Sequence, residues 1–110
     1  MDITTESFDR AVIERSHELP VIVDFWAPWC GPCLRLAPVL EQEVERRGGA
    51  VDLVKVNVDD NPELAARFAV SGIPSVKVFS GGLVVNQFVG ALPPAVVSGF
   101  LDTTMYELAA

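Results

Sequence analysis

Residues 23–33 read Val23-Asp24-Phe25-Trp26-Ala27-Pro28-Trp29-Cys30-Gly31-Pro32-Cys33, and the character of the chain changes within them. With Val21 and Ile22 in front, the part up to Ala27 is β-branched and aromatic, apolar on both faces except at Asp24. That is the pattern of a central strand covered on both sides. After the cysteines the period lengthens: Leu36, Leu40 and Val44 recur at helical spacing until Gly48-Gly49 end the run, so a long helix begins at or near Cys30. Pro38 lies inside it, where it removes one backbone hydrogen bond and predicts a kink. Both cysteines of the chain therefore stand where a buried strand turns into a helix.

Outward from this junction, Thr4 to Arg15 reads as a short strand end and then a helix with Phe8, Ala11 and Val12 at helical spacing. Val51 to Val58 reads as a second buried strand, and Asn61-Pro62 supplies an N-cap and a first-turn proline for a helix carrying Leu64 and Phe68. Gly72-Ile73-Pro74 is expected to break that helix. Ser75 to Phe79 and Leu83 to Val89, joined by Ser80-Gly81-Gly82, read as an antiparallel hairpin. Pro93-Pro94 opens a final helix with Val97, Phe100, Leu101 and Leu108 on one stripe. The order βαβαββα gives a parallel start, an antiparallel finish and helices on both faces of one sheet. With no repeat, low-complexity tract or linker, a single domain over residues 1–110 is expected.

At 110 residues, 50% of them apolar, the chain can bury a sizeable core without disulfide staples. Its 8 Lys plus Arg against 15 Asp plus Glu, a net charge of -7, oppose a polyanion, so nucleic acid is not an expected partner. No apolar run approaches the roughly 18 to 20 residues that span a bilayer, and the start lacks the basic-then-apolar layout of a signal peptide. A cytoplasmic monomer without membrane attachment is the expectation.

The two cysteines are neighbours in sequence, so they cannot be a long-range disulfide framework. Closing so short a ring stabilises by only about 2 kcal/mol, a weak reason for the pair. Zinc needs roughly four ligands; two thiols and the solitary His17 could hold it only by bridging two chains. What remains is a dithiol cycling between reduced and disulfide states, or an inert dithiol on a binding module. At a helix start, unpaired N–H groups and the dipole lower a thiol pKa from about 8.5 toward neutrality, which favours Cys30 as nucleophile. Cys33, one turn on, can resolve a mixed disulfide by attacking Cys30. Asp24 shares a strand face with Ile22 and Trp26, so burial should raise its pKa toward about 7 and suit it to general acid/base work on Cys33. The alternative is a carboxylate held by backbone donors or by Lys55 on the next strand.

The run from Val23 to Cys33, the internal Pro38, Lys55, Gly72-Ile73-Pro74, Gly82 and Gly90 together resemble the thioredoxin family, over roughly Phe8 to Leu101. The resemblance implies the thioredoxin fold: a three-layer α/β/α architecture with a central mixed sheet flanked by four helices. It implies a thiol–disulfide oxidoreductase that reduces protein disulfides, with no bound cofactor besides a redox-active Cys30–Cys33 disulfide, and with an NADPH-dependent thioredoxin reductase as electron donor. Pro32 before the second cysteine goes with reductants. Lys55 resembles the lysine that pairs with the buried acid. Ile73-Pro74 resembles a cis-proline loop facing Cys30 and offering its main chain to a substrate strand; read alone, it is an ordinary trans proline ending a turn. Trp29, Gly90 and Ala91, beside Gly31 and Pro32, would form an apolar substrate rim, with Trp26 as core support. Two positions depart from the family pattern. Leu34 replaces the usual cation after the second cysteine, and Pro28 replaces a polar residue; Arg35 is the nearest cation, and the helix turn is expected to point it elsewhere. Asp59 to Phe68 and Gly90 to Pro94 look like the branch of co-chaperones whose thioredoxin domain precedes tetratricopeptide repeats. A redox or client-binding domain of that kind is the alternative function, although no repeat segment appears before Ala110.

Overall fold

Alternation along β1 (Val21–Trp26) organises the molecule. In the computed structural model, which describes residues 1–110, β1 lies inside a sheet with a neighbour on each side. β2 (Asp52–Asn57) runs parallel to it, β3 (Ser75–Ser80) antiparallel, and β4 (Leu83–Val89) pairs antiparallel with β3, in the order β2-β1-β3-β4. Val21, Val23 and Phe25 point to one face, where they meet Phe8, Val12, Val54, Val56, Leu64 and Phe79. Ile22 points to the other, against Leu36, Leu40, Val76, Val78, Val97 and Leu101. The first face is covered by the N-terminal helical segment (Asp9–Glu14, then Arg15–His17) and α2 (Pro62–Arg67), the second by α1 (Gly31–Arg46) and α3 (Pro94–Ala109). This is the three-layer, four-helix arrangement around a mixed sheet that the resemblance implies. No helix is long and apolar enough to cross a membrane.

Several details depart from the sequence reading, each for a local reason. β2 is half-buried: within it only Val54 and Val56 are fully enclosed, because on its outer side it meets only the bridge of Asp2 to Lys55. The N-terminal strand end is therefore at Asp2, before Thr4. The first helix is wound as a π-helix over Asp9–Glu14 and tightens to a 3₁₀ turn over Arg15–His17; burial of Phe8 and Val12 anchors it. Asn61 precedes α2 without capping it through its side chain, which instead accepts from Thr5 N (2.9 Å) and donates to Asn57 O (3.0 Å). α2 stops at Phe68, ahead of Gly72, because Ala69 turns left-handed (φ 53°) and its N–H and that of Val70 close back on Ala66 O (3.2 Å) and Ala65 O (2.8 Å). That bond pair is a Schellman cap. On α3 the buried stripe is Val97, Leu101 and Thr104, whereas Leu108 is exposed near the free end.

The hairpin forms as expected. Gly81 (φ 60°) and Gly82 (φ 83°) make a two-residue turn that needs positive φ at both positions. Ser16 pins the turn to the N-terminal segment, accepting from Gly81 through its carbonyl (2.9 Å) and from Gly82 through its hydroxyl (2.8 Å). α1 runs unbroken through Pro38.

Candidate active site

Cys30 is the N-cap of α1, and the N–H of Cys33 donates to its Sγ (3.2 Å). Pro32 follows in the first turn, where its missing N–H has no helical partner to lose. The cap brings the two Cα atoms to 5.3 Å, and the sulfurs form a disulfide. Both cysteines are almost enclosed, at 4% and 2% exposure, among Ala27, Trp26, Val58 and Ile73, while Gly31 and Pro32 lie on the surface. A backbone N–H and a helix terminus aimed at this sulfur are a setting that favours negative charge on it.

Asp24 sits on β1 opposite Lys55 of β2 and Val76 of β3, at 1% exposure. Its Oδ1 has no hydrogen-bond partner. Burial is the main cause that pushes its pKa up to about 6; Lys55 pulls against that shift and Glu41 adds to it. Backbone donors do not hold this oxygen, so that alternative is set aside for it. Lys55 is adjacent in register without a contact ion pair: its Nζ lies 4.8 Å over the ring of Trp26. Trp26 in turn packs against the cysteine cluster with its own Nε1 unpartnered.

On the outer side, Trp29 is 70% exposed and its indole N–H donates to Asp59 Oδ2 (2.9 Å). Nothing in the sequence joins these residues, and the residue pattern gives no sign of Asp59 at the site. Trp29, Val58, Pro62, Ala65, Val70 and Ile73 border an apolar groove of about 320 Å³. The Ile73–Pro74 bond is cis. Pro74 O accepts from Gly90 N (2.8 Å), whereas the N–H and C=O of Ile73 engage no other residue. Gly90 thus meets the proline loop, and Ala91 is half-buried against the cluster under α3. Leu34 and Pro28 are exposed. The guanidinium of Arg35 folds back over the first turn, so that a Cβ on Gly31 would lie 3.6 Å from Nη1. A larger hollow of about 520 Å³, beside Asp2, Glu6, Asp60 and Glu63, is lined by acids, threonines and asparagines and by no cysteine or histidine. His17 is exposed at the hairpin, and no group of three His, Cys, Asp or Glu could hold a metal.

A family model described as Thioredoxin matches residues 1–103. The chain is 47% identical to the thioredoxin of Streptomyces clavuligerus over 94 residues, 86% of this chain and 85% of the relative. It is 40% identical to thioredoxin 1 of Nostoc sp. over 100 residues, 91% and 92% of the two chains. The thioredoxin of Haemophilus influenzae is 40% identical over 102 residues, 93% and 94%. None of these relatives points to the repeat-bearing co-chaperone branch. The electrons of such a protein travel on the two sulfurs, and the enzyme is a thiol–disulfide oxidoreductase that reduces protein disulfides through Cys30 and Cys33. Likeness this even along the chain, together with a disulfide at the head of α1, gives the conclusion that the chain belongs to the thioredoxin family.

Proposed function

We propose that Cys30 is the attacking thiolate of this reductase, Cys33 the resolving thiol, and Asp24 the group that takes the Cys33 proton. The Cys30 thiolate attacks one sulfur of a substrate disulfide; an S–S bond to Cys30 forms and the first substrate thiolate leaves. Cys33 gives its proton to Asp24, attacks Cys30 Sγ and expels the second substrate thiolate, which is then protonated. The substrate gains two electrons, which the Cys30–Cys33 pair loses; the Cys33 proton passes through Asp24 to the second substrate thiolate, and the first takes from solvent the proton that Cys30 had released on forming its thiolate. A thiol with pKa near ambient pH is suited to the first step, and an acid with pKa of about 6 to the second. Lys55 limits the upward shift of that acid. The free main chain of Ile73 and the groove beside Trp29 suit a substrate strand, bound by backbone pairing with Gly31, Pro32, Pro74, Gly90 and Ala91 nearby.

The observation that carries this reading is the Cys33 N–H aimed at Cys30 Sγ, which singles out one of the two sulfurs for the negative charge. The oxidised pair is returned to the dithiol by an NADPH-dependent thioredoxin reductase, in the cytoplasm, where a cycling dithiol is kept reduced. The test is insulin disulfide reduction with limiting dithiothreitol. Wild type is expected to accelerate it, and Cys30→Ser to lose roughly 10³-fold or more. Acceleration that survives the substitution would refute the assignment of the nucleophile. NADPH consumption with an added thioredoxin reductase tests the electron donor.

A further inference from the structure

The chain carries 8 Lys plus Arg within a net charge of -7, and most of these cations are engaged. Arg15, Arg46, Arg47 and Arg67 are ion-paired. Lys77 donates to Gln87, and Lys55 lies over Trp26. Arg10 sits among Glu6, Asp9 and Glu14, beside a hollow lined by residues of the N-terminal segment. Arg35 alone combines freedom from any ion pair or side-chain hydrogen bond with a place beside Gly31, the residue after Cys30, its Nη1 at 3.6 Å from where a Gly31 Cβ would be. The absence of a side chain on Gly31 leaves that space open, and Leu34, 55% exposed, offers no competing charge. The nearby Asp59 is engaged by the indole N–H of Trp29 and forms no ion pair with Arg35.

Resting on the reductase reading above, we infer that Arg35 is a specificity-determining residue: it receives a carboxylate of the substrate segment next to the disulfide under attack. A guanidinium on the surface, with its donor fork unengaged, pairs with a carboxylate in a fixed, bidentate geometry, which biases both encounter and orientation. The net charge of the chain would by itself favour basic segments, so the contribution of Arg35 runs against the background and can be isolated. The covalent step is unchanged; the contact acts before the first S–S bond forms.

The experiment compares the full chain, reduced beforehand, against two peptide disulfides identical except for Glu or Lys beside the disulfide, at low salt, by stopped-flow. The readout is the ratio of the two rate constants, acidic over basic. In Arg35→Gln that ratio is expected to fall about fivefold, with the difference shrinking in 0.5 M salt. Arg35→Lys should keep at least half of the wild-type ratio, and Arg46→Gln, an equal charge loss away from the sulfurs, should leave it within about 1.5-fold. An unchanged ratio in Arg35→Gln overturns the inference, as does an equal fall in Arg46→Gln, which would assign the effect to net charge. A parallel fall of both rates at constant ratio also overturns it, since that marks an effect on the Cys30 thiolate. In each of these cases wild-type turnover stays intact and the reductase reading stands. If wild type reduces neither peptide nor neutral 2-hydroxyethyl disulfide, both readings fail.

Discussion

Each face of the sheet buries one ionisable side chain, and the two are treated in opposite ways. Lys77, opposite Val23 on the face of the N-terminal segment and α2, is 8% exposed and its Nζ donates to Gln87 Oε1. Asp24, on the face of α1 and α3, is 1% exposed and leaves Oδ1 without a partner. Around Lys77 the packing is aromatic: Phe8, Phe25, Phe68 and Phe79 meet with ring centroids 5.1 to 6.2 Å apart. Beyond Asp24 the same strand continues to Trp26, with another unpartnered atom, and then to the disulfide. A buried polar group that is satisfied adds to the structure, and one left unsatisfied raises its energy and is available for proton transfer. Both faces hold an apolar core, but only the one with Asp24 buries an unsatisfied ionisable group, the group proposed above to serve the exchange.

This contrast is tested hardest from the aromatic side. Phe25 is fully buried among the rings, and Phe25→Ala is expected to cost about 3 to 5 kcal/mol in denaturant unfolding. At a temperature where the variant is wholly folded, its insulin-reduction rate should stay within about threefold of wild type. A tenfold loss in the folded variant would mean that the faces are coupled and the contrast between them is false.

The complementary change is Asp24→Asn, with the opposite sign in stability. A carboxyl whose folded pKa is raised, here from 3.8 to about 6, destabilises the fold when ionised. The cost is absent below the unfolded pKa, grows between about pH 4 and 6, and is complete above the folded value. A rise to about 6 corresponds to about 3 kcal/mol. Asp24→Asn should therefore be more stable than wild type by about 2 to 3 kcal/mol at pH 8, with the two curves converging near pH 3.5 in urea titrations. The same variant should resolve mixed disulfides more slowly at pH 7, since Cys33 loses its proton acceptor. Equal stabilities at pH 8 would remove the buried acid from the comparison.

This contrast was partly legible in the chain before folding. β1 and Asp24 stood out because one polar residue interrupts a run that is apolar on both faces, a local signal that needs no tertiary information. The hairpin was equally plain, since Gly81-Gly82 fits few other turns. β2 reads as buried because its apolar residues are dense; its place near the sheet edge is set by strand order, which no single segment encodes. Asn61 carries a cap-forming side chain, yet Thr5, distant in sequence, wins it. The bond from Trp29 to Asp59 joins two separate loops, and the turn of Arg35 over Gly31 depends on side-chain rotamers; neither leaves a mark in the residue pattern. The residue pattern carries α2 on to Gly72 because a left-handed cap is normally announced by glycine, and here the residue is Ala69.

That cap supplies the smallest and cleanest test. Ala69 has φ 53°, where an L side chain costs roughly 1 to 2 kcal/mol relative to the right-handed form. Glycine removes this cost but gains freedom in the unfolded chain, worth about 0.4 to 1 kcal/mol in the other direction. Ala69→Gly is therefore expected to raise the unfolding free energy by about 0.5 to 1 kcal/mol, seen as a higher urea midpoint at unchanged slope. Ala69→Val should lower it, because branching at Cβ worsens the same clash. Ala69 lies beside Phe68, Lys77 and Gln87, at the rim of the aromatic face. A gain in stability there should leave the rate of disulfide exchange untouched, whereas the gain from Asp24→Asn slows it. If Ala69→Gly also slowed exchange, stability on either face would trade against activity, and the orphaned Asp24 oxygen would lose its special standing.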